Sequence, residues 1–164
     1  MTLFKQLKIS TSNSITGSSR KKIEKELGVT LEKDVKQFKC KKIILLGEEG
    51  NLILFNWSNK WIYTLNYLRN QIKEGKDLPY PKIFIDDGAM APIKRGCDIF
   101  KPGITKYKEK ITVEFIKNDI LILEVINYGI FALVQALIDY NELDMEKGTG
   151  FKVLTCEGDE LDSL

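Results

Sequence analysis

The stretch "DDGAMAPIKRGCDIFKPGI" (residues 86–104) decides how this chain is read. It sets Gly88, Gly96 and Gly103 among Lys94, Arg95 and Lys101, with Ala89 beside the first glycine. Glycine lets a backbone or a ligand come close, and clustered cations attract anions. Two explanations follow from the residues. Either a short helix is folded between two turns, or a phosphate-bearing ligand approaches the backbone here.

The chain around it has 164 residues, 43% hydrophobic and 29% charged, which suits one soluble domain or two small ones. No charged-then-apolar leader opens it, and its longest apolar run, "IFALVQALI" (130–138), is too short to span a bilayer. A cytoplasmic protein with no membrane partner is expected. Cys40, Cys97 and Cys156 are scattered and odd in number, so reduced thiols are expected. There is no histidine, which excludes Ser-His and Cys-His nucleophile pairs and every His-containing metal site. No phosphate loop occurs, and "KGTG" (147–150) reads as a turn. Asp86 and Asp87 are adjacent and would face opposite ways on a strand, so they make no acid/base pair; Asp87 reads as a helix cap. No catalytic residues, cofactor or metal site are expected, and the chain is not read as an enzyme.

Net charge is +2, but it is lopsided. Before residue 111 there are 22 Lys/Arg against 12 Asp/Glu, and after it 3 against 11. Arg20, Lys21, Lys22 and Lys25 fall on one expected helix, and Lys39, Lys41 and Lys42 cluster later.

Residues 10–19 read as a loop. A helix capped by Ser18 or Ser19 runs to Leu27 and closes at Gly28, and Thr30 caps a second helix carrying Leu31, Val35 and Phe38 on one face. "KKIILLG" and "NLILFNW" pair as a hairpin through Glu48-Glu49-Gly50, and a helix follows from about Trp61 to Gly75. "DLPYP" (77–81) marks a boundary. Beyond it, "KIFID", "ITVEFI", "DILILEVI", "IFALVQALI" and "FKVLTC" read as strands, with "NYG" a tight turn and "NELDMEKG" a helical turn. Short strands at this spacing suggest a small barrel.

The order of motifs is specific. Asp86-Asp87-Gly88-Ala89, then Gly96-Cys97-Asp98, then Pro102-Gly103-Ile104 resembles the opening of a PUA domain, an RNA-binding pseudobarrel. "IKNDILIL", "FALVQALIDYNEL" and "KGTGFKVL" resemble its later strands, so the likeness covers about 81–164. "EEGNLILFNWSNKWIYTLNYL" followed by "LPYPKIFIDDGAM" resembles the malignant-T-cell-amplified-sequence family, whose pre-PUA domain carries a Pro-Thr-Leu signature where Tyr63-Thr64-Leu65 stands here. The sequence also departs from the pattern at Pro92, at Gln135 or Ala136 in place of a strand glycine, and in a tail "EGDELDSL" without the usual tryptophan.

The resemblance implies an α+β chain: an N-terminal α/β pre-PUA domain (1–79), then a PUA pseudobarrel of short mixed strands (80–164). It implies a cytosolic translation factor that binds the small ribosomal subunit and tRNA or rRNA beside a density-regulated-protein-like partner. Its tasks would be recycling, reinitiation or unconventional initiation. The RNA-binding residues would be Gly88, Ala89, Lys94, Arg95, Gly96, Lys101 and Gly103. Two alternatives stay open: a Nip-type ribosome-biogenesis protein, and a protein-interaction adaptor on a PUA fold that no longer binds RNA.

Overall fold

The computed structural model describes Phe4 and residues 7–41, 43–48, 50–145 and 147–164. Lys42 and Glu49 lie outside the described residues. The chain is mixed α+β and builds two five-stranded sheets.

The first sheet is an antiparallel meander of β1 (Thr11–Ser14), β2 (Lys36–Cys40), β3 (Ile43–Glu48), β4 (Asn51–Trp57) and β5 (Lys60–Tyr63), in chain order. Helix α1 (Gly17–Leu27) is inserted between β1 and β2. Its cap is Thr16, which accepts from the Ser19 amide, rather than Ser18 or Ser19; Gly28 ends it at φ +67°, as expected. The expected helix from Thr30 does not form. Leu31, Val35 and Phe38 are buried at nearly helical spacing, but Phe38 and Cys40 alternate with exposed Lys39, and pairing with β1 and β3 fixes the strand. Gly47 sits at a bulge between β3 and β4. A Cβ there would lie 2.6 Å from Asn51 O, and φ is +151°, so only glycine fits without distortion. Residues 10–19 are not all loop, since β1 pairs with β2. Trp61 belongs to β5, and α2 (Leu65–Lys73) begins later than expected, capped by Thr64.

The second sheet has the order β6 (Lys82–Ile85), β8 (Ile120–Val125), β9 (Gly129–Ala136), β10 (Thr149–Cys156), β7 (Ile99–Phe100). β6 runs parallel to β8; the other pairs are antiparallel. β6 and β7 are its two edges. Helix α4 (Lys101–Thr105) spans the gap between them, touching β6, β7 and β10. The curled sheet is thus a half-barrel closed by a helix. The expected strand "ITVEFI" is absent: its Phe115 is buried, but Thr112, Val113, Glu114 and Ile116 are exposed and its backbone joins no ladder. The turn at Ile126–Tyr128, with Asn127 at φ +62° and Gly129 at φ +126°, makes the expected hairpin of β8 and β9.

β8 is apolar on both faces because both are covered. Leu121, Leu123 and Val125 point into the barrel with Ile83, Phe131 and Phe151, while Ile122 packs with Leu133 and Leu154 against the first half. There they join Leu45, Leu46, Leu54, Phe55 and Leu68. Each such side chain contributes about 1.5–3 kcal/mol on burial. The seam is fastened at its rim by Arg69, whose guanidinium donates to both Asp162 carboxylate oxygens at 2.5 and 3.2 Å. No helix among the described residues is long and apolar enough to cross a membrane.

Candidate nucleic-acid interface

Residues 86–104 form one corner of the half-barrel. β6 delivers Ile83 and Ile85 inward and ends at Asp86, which is the residue preceding a 3-10 turn (Asp87–Ala89); Asp87 is not the cap. Helix α3 (Met90–Lys94) follows, then Gly96 at φ +100°, then β7. Pro92 is the third residue of α3, where the helix has no hydrogen bond for a missing N–H to break, and its carbonyl accepts from Cys97 N at 3.1 Å. The helix is short rather than kinked. Asp98 accepts from Val153 N at 3.1 Å, which ties the turn to β10.

The motif glycines have different surroundings. Gly88 is exposed, and a Cβ on it would meet nothing within 4 Å. Gly103 faces inward: its Cβ would lie 3.3 Å from Ile85 Cδ1. That glycine lets α4 seat on β6 and close the barrel. The amides that open this corner are partly used within the chain. Ala89 N bonds Asp86 O at 3.1 Å, and the Met90 amide bonds Asp87 O.

The three cations are not brought together. Lys94 Nζ lies 4.0 Å from Glu157 Oε2 and 5.7 Å from the centroid of the Phe131 ring, at the C-terminal end of β10. Lys101 sits at the other end of that strand: its amide donates to Gly148 O at 2.8 Å and its stem crosses Gly150, where a Cβ would be 3.0 Å from Lys101 Cγ. At ~3.3 Å per strand residue, the two anchors are roughly 20 Å apart. Arg95 is exposed, and among the described residues neither Arg95 nor Lys101 forms an ion pair with a carboxylate. The "KGTG" segment (147–150), expected as a turn but opening β10 with Thr149 and Gly150, is therefore part of the corner, which its sequence alone did not indicate.

Neighbouring cations are matched by acids. Lys106 Nζ donates to Asp86 at 2.8 Å, and Tyr107 OH donates to the other carboxylate oxygen. These bonds, the Lys106 one foremost, hold the Asp86 carboxyl below its ordinary range. Lys108 pairs with Asp144, which raises the lysine. Beside them an open groove of about 400 Å³ runs between Pro102, Thr105, Leu143, Met145 and Lys147. Phe100, on the edge strand, is 63% exposed; the sequence reading overlooked it, although its alternation with Ile99 signalled an outward ring. In the first half, Arg20 donates to the carbonyls of Leu31 and Glu32 at 3.0 and 2.9 Å and so fixes a loop, while Lys21, Lys22, Lys25, Lys39 and Lys41 are exposed. Among the described residues no group of three His, Cys, Asp or Glu side chains could hold a metal ion.

This architecture occurs in solved structures. A conserved PUA domain protein from Thermoplasma acidophilum superposes with a TM-score of 0.64 at 18% identity, over 93% of this chain and 98% of that one. A PUA domain from Aeropyrum pernix K1, solved as a tartrate complex, gives 0.67 at 16% identity, over 93% and 89%. A hypothetical protein from Pyrococcus horikoshii OT3 gives 0.69 at 17% identity, over 93% and 98%. The likeness is one of fold, and it runs through both sheets. No family model and no curated protein matches the sequence.

Proposed function

We propose that this chain is a non-enzymatic RNA-binding protein that works in translation. It would bind the small ribosomal subunit and a tRNA or rRNA through the corner at residues 86–104, in the cytoplasm, beside a density-regulated-protein-like partner. Recycling, reinitiation or unconventional initiation are the tasks that fit. Residues 1–79 and 80–164 would be its pre-PUA and PUA domains.

The observation that carries this reading is a solvent-facing corner on a PUA fold, where Arg95 and Lys101 meet no carboxylate among the described residues. Unmatched cations attract phosphate without reading sequence. The motif order from Asp86 to Ile104 supports the same conclusion. One observation favours the adaptor reading: Lys94, Lys106 and Lys108 are matched by acids within the chain, which leaves fewer charges for RNA.

The test is gradient sedimentation of the tagged protein from its own cells. Co-migration with mature small subunits is expected. Migration with precursor particles would favour a biogenesis role, and absence from both would contradict this proposal.

A further inference from the structure

We infer that Phe100 is a stacking platform for an unpaired base, so that the RNA taken at this corner is single-stranded. This deepens the proposal above and rests on its claim that the corner binds RNA.

The ring's exposure follows from the backbone. Ile99 pairs with Phe151 and is buried; the next residue, Phe100, pairs with Thr149 and must point the other way. β7 has only two residues and is the last strand of its sheet, so no neighbouring strand covers the ring. A phenylalanine left 63% exposed forfeits most of the burial free energy its side chain could supply.

Two lysines lie close to it in the chain, Lys101 with its stem across Gly150 and Lys147 on the groove that Pro102 also lines. Lys101 follows it directly, with its amide held by Gly148 O at 2.8 Å. Lys147 is exposed and lies two residues before Thr149, the strand partner of Phe100. Neither forms an ion pair with a described carboxylate, in contrast to Lys94, Lys106 and Lys108. A nucleotide stacked on the ring would carry its flanking phosphates past these two cations.

The chemistry selects the strand type. Duplex RNA presents phosphates and 2′-hydroxyls and hides its base faces, so an apolar ring gains nothing from it. A single strand offers a base face and a phosphate together, which is what an exposed aromatic ring with cations a few residues away takes up. A protein-binding hot spot would instead sit centrally in an apolar, water-excluding patch. Here the chain neighbours of the ring are the buried Ile99 and Lys101, Thr149 lies across the strand pair, and the groove that begins at Pro102 mixes Leu143 and Met145 with Lys106, Asp144 and Lys147.

Fluorescence anisotropy with a labelled single strand of about ten nucleotides, within the site sizes typical of such proteins, and with a blunt hairpin of the same sequence tests this. The variants are Phe100→Ala and Phe100→Tyr, each checked by a melting curve. Phe100→Ala is expected to raise the Kd for the single strand by about 5- to 150-fold, the range for removing one stacking aromatic. Phe100→Tyr should restore it, and hairpin binding should stay unchanged. Unaltered single-strand affinity in folded Phe100→Ala would overturn the inference and leave the RNA-binding reading standing. Equal loss on both probes would also overturn it, because the ring would then support backbone contact rather than stacking. Failure of the wild type to bind either probe would overturn the RNA-binding reading and this inference together.

Discussion

Gly88 and Gly103 occupy equivalent-looking places in the motif, yet a methyl group at each meets different surroundings. At Gly88 it meets nothing within 4 Å; at Gly103 it meets the end of the Ile85 side chain at 3.3 Å. Gly88→Ala should therefore leave stability within about 0.5 kcal/mol. Gly103→Ala should cost about 1 kcal/mol, because α4 must retreat from β6 or Ile85 must turn. Urea unfolding midpoints of the two variants measure the difference, and equal midpoints would show that α4 does not rest on Ile85. The cysteines separate in the same way. Cys97 is exposed, whereas Cys40 and Cys156 are buried, and burial raises both buried thiols, Cys156 to about 11. The thiolate is the reactive form, so these two stay protonated and inert near neutral pH. A thiol reagent at pH 8 should modify one cysteine quickly in the folded protein and three in denaturant. Rapid modification of two or more in the folded state would contradict the packing of β2 or β10.

At the scale of elements, the C-terminal turn after β10 is organised around Asp159. Its carboxylate accepts from Thr155 Oγ1 at 2.6 Å, Cys156 N at 3.1 Å and Asp162 N at 2.9 Å. Burial nevertheless prevails over these bonds and raises its pKa. A carboxyl raised in the folded state binds its proton more tightly there than in the unfolded chain, so stability falls as pH rises from the ordinary carboxylate value through the raised one. The stability difference between wild type and Asp159→Asn should therefore shrink as pH climbs from about 4, near the ordinary carboxylate pKa, toward neutrality. A difference that grows over that range would mean the hydrogen bonds outweigh burial. Elements with strong local signals were legible in the sequence: the Gly28 stop of α1, the Asn127–Gly129 turn, and the doubly apolar β8. Residues 30–38 were not, because Leu31, Val35 and Phe38 satisfy a helical spacing while the ladder with β1 and β3 imposes a strand. "ITVEFI" alternates like a strand, but its flanking bonds go to side chains: Ile116 N to Asp119 and Lys117 N to Asp139. Asp139 lies 22 residues on and could not be inferred locally, whereas Asp119, three residues on, was a local turn signal in the sequence.

For the whole molecule, the motif from Asp86 to Ile104 carried the fold through its order: Gly96 turns the chain at φ +100°, and Pro102 and Gly103 open the helix that seats on β6. What it could not carry was the state of its cations. Lys94 is matched by Glu157, Lys106 by Asp86 and Lys108 by Asp144, pairings set by the closure of the half-barrel. Charge counted along the sequence therefore overstates the charge offered to a ligand. Of the three cations singled out there, Arg95 and Lys101 remain unmatched among the described residues, and under the proposed function these two would contact phosphate. The most direct test of the central claim is the salt dependence of single-stranded RNA binding by the wild type and by the Arg95→Ala/Lys101→Ala double variant, with a melting curve for each. Two lost phosphate contacts, at ~0.7 each, should reduce the log–log slope by about 1.4 while folding is unchanged. A folded double variant whose slope equals that of the wild type would contradict the assignment of RNA to this corner.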